Sequence, residues 1–187
     1  TAEVIAERGV QTLPCGYSAV VRCAPGGRVT FEAVTASSLL SIVERVANQT
    51  GEGPSLGAFR DKTTVLMDDV FEETRWPLYR AEIRAHTAIR SALALYLDFV
   101  GEALGVLAFY DERPGWFTDE RIHVAEVFAD HATIALAKGC VLPRSTAAAS
   151  ERISSEALPL SEMMSVTSGR PRVSVPVLSN ATPCTAA

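Results

Sequence analysis

The chain has 187 residues, with 17 basic and 22 acidic side chains and a formal net charge of −5, which leaves room for one ordinary domain and an appendage but not for two. The acidic balance disfavours nonspecific attraction to nucleic acid or anionic membranes. Apolar runs such as 91–97 and 103–110 fall far short of the roughly 20 residues of a membrane helix, so the chain reads as soluble. No leader pattern opens it, and a cytoplasmic location is expected. The four cysteines, Cys15, Cys23, Cys140 and Cys184, form no C-x-x-C pair, and neither a disulfide framework nor a zinc site is indicated.

In chain order, Ala2 to Val10 reads as a first helix. Gly16 to Ala24 and Arg28 to Thr35 alternate β-branched and aromatic residues around Pro25, Gly26 and Gly27, the pattern of a hairpin. Ser37 and Ser38 are placed to cap a helix whose Leu39, Val43, Val46 and Ala47 share one face, and Gly51 to end it in a left-handed conformation. Ser55 to Arg60 suits a short helix and Thr63 to Met67 a short strand, followed by Asp68 and Asp69 as strand end and helix cap. A helical spacing returns over Glu72 to Ala85, interrupted at Pro77.

Ile89 to Phe99 and Ala103 to Tyr110 form the strongest strand pair, turning at Val100, Gly101 and Glu102. One face carries Leu93, Leu95, Leu97 and Phe99, the other Ala92, Ala94 and Tyr96, so helices or a second subunit are expected on both sides. Thr118 precedes a last helix that runs to about Lys138, with Asp119 and Glu120 at its positive end. Its apolar and small residues occupy more than one stripe, so it calls for two partners. The order of elements implies an α+β fold around an antiparallel sheet.

From Cys140 onward the composition changes: 25 of 48 residues are Ser, Thr, Ala or Pro, and none is aromatic. A segment without large apolar groups does not offset its ordering entropy, so 140–187 is expected to be a disordered or loosely packed tail. The alternative is a short helix over Ala147 to Leu158 and an edge strand over Val173 to Leu178. The folded domain is placed at 1–139.

From Gly51 to Lys138 the chain resembles the GAF domains of actinobacterial regulators, particularly those that precede an RNA-binding ANTAR domain. The resemblance rests on an ordered series: Gly51-Glu52-Gly53-Pro54, Val65-Leu66-Met67-Asp68-Asp69, Thr74-Arg75-Trp76-Pro77, Ile89-Arg90-Ser91, Leu104-Gly105-Val106-Leu107 and Phe117-Thr118-Asp119-Glu120. It implies a PAS-related fold with a central antiparallel sheet of five or six strands flanked by helices, and a pocket between the sheet and the segment from Phe59 to Ala88. Ser55 stands where many relatives have cysteine, and Tyr96 where they commonly have proline. The ANTAR part is not recognisable after Lys138.

Within the pocket that the resemblance implies, the candidate residues are Phe59, Val65, Asp68, Trp76, Tyr79, Arg90, Ala92 and Tyr96. Arg90 has the bidentate fork for an anionic ligand, although an ion pair with Asp68 or Asp69 is the simpler reading. Phe59, Trp76 and Tyr79 suit either an aromatic wall or a plug for the fold. On the last helix, Ile122, Val124, Val127, Phe128, His131 and Ile134 are candidates for a dimer contact. His86, His123 and His131 lack partners at metal-ligand spacing and read as surface or interface residues. Cys23 reads as a small buried hydrophobe rather than a reactive thiol. Asp68 and Asp69, adjacent on an extended chain, point to opposite faces and make a poor acid–base pair.

The expected function is therefore a non-enzymatic sensory domain that binds a small molecule or a partner and signals through its terminal helices. The setting is transcriptional or antitermination regulation, as a homodimer, with a separate output protein and no identified cofactor. Two other readings are weaker. A free methionine sulfoxide reductase of the GAF branch would need cysteines in the segment from Phe59 to Ala108, which has none. A direct RNA-binding antiterminator would need a basic patch, and the tail offers four arginines among three glutamates.

Overall fold

The computed structural model describes residues 1–24 and 26–141, with side chains as far as Lys138. The expectations for Pro25 and for most of the tail lie outside the described residues. The elements are α1 (Ala2–Thr12), β1 (Tyr17–Cys23), β2 (Val29–Val34), α2 (Ser37–Thr50), α3 (Pro54–Asp61), β3 (Val65–Met67), α4 (Pro77–His86), β4 (Ser91–Phe99), β5 (Glu102–Asp111) and α5 (Asp119–Val141). The five strands form one antiparallel sheet in the order β2-β1-β5-β4-β3.

Alternation along the strands divides the interior in two. Ala19, Val21, Ala92, Ala94, Val106, Ala108 and Tyr110 face a core shared with α2, α3 and α4. Val20, Leu93, Leu95, Leu97, Leu107 and Phe109 face a second core shared with α1 and α5. Both faces of the sheet are thus covered by helices, which explains why β4 and β5 are apolar at nearly every position. The end of the pair is less covered, with Phe99 44% exposed and Ala103 exposed beside it.

The β4–β5 turn consists of Val100 and Gly101, with φ of 53° and 82°, the left-handed pair of a tight two-residue hairpin; Glu102 already belongs to β5. α2 ends at Gly51 with φ 67°, in the left-handed conformation its sequence position predicts.

Four local expectations are corrected. Neither Ser37 nor Ser38 caps α2; both lie inside its first turn, and Ala36 takes the extended N-cap conformation without a side-chain bond. The inner face of α2 is Leu40, Val43, Val46 and Ala47, with Leu39 only packed against its edge. Residues 72–76 are not helical. The helix begins at Pro77, whose fixed φ and missing N–H suit a first helical position. Before it, Glu73 accepts bonds from the backbone N–H and guanidinium of Arg75, which holds the chain in turns. Asp69 accordingly closes a turn through Phe71 N–H rather than capping a helix.

Candidate functional site

Alanines at 19, 92, 94 and 108 keep one face of the sheet low, and larger side chains occupy the space above it. Tyr79 from α4, Tyr110 from β5 and Met67 from β3 are all at most 1% exposed. α4 is set in place from a distance: Glu52 Oε2 accepts the backbone N–H of Leu78 at 2.9 Å and of Tyr79 at 3.1 Å. A carboxylate at this position satisfies donors that the helix itself leaves free and meets the positive end of its dipole. Gly53 lets the α2–α3 connection pass over the Tyr79 ring: its φ is 128°, and a Cβ there would lie 2.9 Å from two ring carbons.

This interior contains three hydroxyls. Ser55 Oγ and Tyr110 Oη are 3.3 Å apart, and either can donate. The Tyr79 hydroxyl is buried without a hydrogen-bond partner. Burial pushes the phenols of Tyr79 and Tyr110 up, the latter to about 12, so both remain protonated at neutral pH. An orphaned buried donor costs about 1–3 kcal/mol relative to a bonded one. The chemistry offered here is hydrogen bonding without charge, because the buried carboxylates Glu73 and Asp111 are each engaged by an arginine.

The residues singled out in the sequence fall into distinct places. Val65, Tyr79 and Ala92 belong to this core, and Phe59 and Trp76 pack against it. Phe59 meets the half-buried Tyr96 edge-to-face, with ring centroids 6.0 Å apart. Trp76 lies over Gly57, where a Cβ would come within 2.9 Å of the indole. Arg90 is committed to Asp69, with Nε 2.9 Å from Oδ1, and stacks on Phe71 at 4.0 Å. Those bonds hold the Asp69 carboxyl below its ordinary range. Asp68 is exposed, and its backbone oxygen accepts Gly115 N–H. Sequence reasoning missed Tyr110 and the pairing of Ser55; the one signal available was the departure from cysteine at position 55.

On the opposite side, Ile122 and Phe128 are half-buried against the second core. Val124, Val127 and Ile134 are 43%, 46% and 46% exposed. His131 is also exposed, with Nδ1 2.8 Å from the carbonyl of Val127. A surface hollow between α1 and α5 is lined by Thr12, His123, Val124, Val127, Phe128 and His131. Among the described residues no group of three or more His, Cys, Asp or Glu side chains is placed to hold a metal ion. No described helix is long and apolar enough to cross a membrane.

A sequence model of the GAF domain matches residues 1–137. The chain belongs to the GAF domain family. Its fold is shared by a domain of a putative two-component sensor histidine kinase from Sinorhizobium meliloti, at 18% identity and TM-score 0.59 over 80% of this chain and 94% of that one. It is shared likewise by a Synechocystis GAF domain in its photoproduct state, at 21% identity and TM-score 0.59 over 75% and 94%. A type II free methionine-R-sulfoxide reductase from Thermoplasma acidophilum also matches, at 16% identity and TM-score 0.56 over 73% and 89%. Among curated proteins none matches this chain. At these identities the likeness establishes a GAF fold.

Proposed function

We propose that this GAF domain is a non-enzymatic sensor whose interior beneath α3 and α4 takes a small, uncharged molecule with a hydrogen-bond acceptor. The observation that carries the reading is the Tyr79 hydroxyl, a buried donor without a partner, close to the Ser55–Tyr110 pair. Entry requires α4 and the 68–76 segment to lift. The half-buried Phe59, Trp76 and Tyr96 then form an apolar mouth, and the committed Arg90 and exposed Asp68 lie outside it. The signal passes through α1 and α5 of a homodimer to a separate output protein. The motif series from Gly51 to Glu120 supports a cytoplasmic role in transcriptional or antitermination control, without direct contact to nucleic acid.

The reductase reading has less support. Cys23 faces the same core as Tyr79, a placement the sequence had not indicated, whereas Cys15 faces the other. Burial pushes both thiols up to about 11, so neither supplies the thiolate that attack on sulfur needs.

Native mass spectrometry of the full chain tests the sensor. A noncovalent mass retained by the wild type and lost in Tyr79→Phe is the expected result. Wild type that is empty, and whose melting temperature is unmoved by a panel of neutral polar metabolites, would overturn it.

A further inference from the structure

α5 carries apolar residues on a second side, beyond what a helix that only covers a sheet needs. Its inward residues are the buried Ala125, Ala129 and Ala132 with Ile122, Phe128 and Leu136 packed beside them, while Val124, Val127 and Ile134 point outward. The outward set keeps a strict alternation of four and three: Glu120, Val124, Val127, His131, Ile134 and Lys138, every one of them exposed. That is the spacing of a coiled-coil seam nearly three heptads long, and it is a second seam, separate from the one that packs on the sheet.

From this geometry we infer that α5 pairs with α5 of a second copy of this chain in the antiparallel sense, about a two-fold axis near residue 129. The inference rests on the homodimer proposed above and specifies its interface. The charges at the seam decide the direction. A parallel pair sets Glu120 against Glu120, His131 against His131 and Lys138 against Lys138, three layers of like residues. An antiparallel pair sets Glu120 against the partner's Lys138 at both ends, Val124 against the partner's Ile134, and Val127 against the partner's His131. Among the described residues neither Glu120 nor Lys138 has an ion-pair partner within the chain. A two-fold axis also makes the contact self-complementary and closed. Asp130 and Arg8 of α1, both exposed, stay at the flanks in water, where charges contribute little.

Charge reversal in the full chain distinguishes the orientations. In sedimentation equilibrium at low salt, Glu120→Lys and Lys138→Glu each weaken dimerisation about tenfold, and the double variant recovers wild-type affinity. The single-variant losses shrink as salt rises. A dimer indifferent to either single reversal would overturn the antiparallel seam and leave the sensory dimer standing, because a parallel pair merely exchanges one like-charged layer for another. A wild type that stays monomeric at tens of micromolar would overturn both.

Discussion

Asp111 shows how one side chain ties distant parts of the chain. Its Oδ2 accepts Gly16 N–H at 2.9 Å at the entrance to β1, and its Oδ1 accepts Arg113 Nε at 2.7 Å. Burial alone would raise the carboxyl, but the bonds from Arg113 and Gly16 outweigh it and hold the group below the ordinary aspartate value of 3.8. A carboxyl whose folded pKa is depressed stabilises the fold fully above its unfolded value. That contribution is lost as pH falls through the folded value. We therefore expect Asp111→Asn to melt below the wild type at pH 5 to 7, with the two curves converging as pH is lowered from about 4 to 2. Thermal melts across that range measure it, and a constant gap down to pH 2 would show that the carboxylate charge plays no part.

At the scale of elements, α4 depends on a residue that does not belong to it. Pro77 opens the helix without a donor of its own, and Glu52, which lies 26 residues before Leu78, accepts the next two N–H groups. Glu52→Ala leaves these donors to water and should cost about 1 kcal/mol in urea unfolding, as N-cap losses do. Much of the fold could be read from sequence, for reasons of this local kind. Leu93, Leu95 and Leu97 alternate with Ala92 and Ala94, so β4 declares both its strand period and its double burial. Gly51 announces the end of α2. The candidate site was legible only as a region. Val65, Tyr79 and Ala92 belong to one buried core, but the Ser55–Tyr110 contact joins residues 55 positions apart and leaves no periodic trace. The choice between Asp68 and Asp69 as partner of Arg90 likewise depends on how the chain turns after β3. The false helical spacing at 72–76 arises because charged residues there satisfy one another locally, as Glu73 and Arg75 do.

For the whole molecule, the sheet is a partition with different chemistry on each side. Hydroxyls and aromatic rings lie beneath α3 and α4, and the outward seam of α5 lies beyond the opposite face. β4 serves both, with Ala92 and Ala94 on one side and Leu93, Leu95 and Leu97 on the other, so the strand against which α5 packs also lines the interior beneath α3. The described residues already supply a five-stranded sheet, helices on both of its faces and two apolar cores. Residues 142–187 contain no aromatic side chain with which to extend either core. If 140–187 is an appendage to the domain, a chain ending at residue 141 should melt within about 2 °C of the full chain in calorimetry, since changes away from a core are usually worth less than about 0.5 kcal/mol. A drop of 10 °C would instead make the tail part of the folded unit and move the domain boundary beyond residue 139.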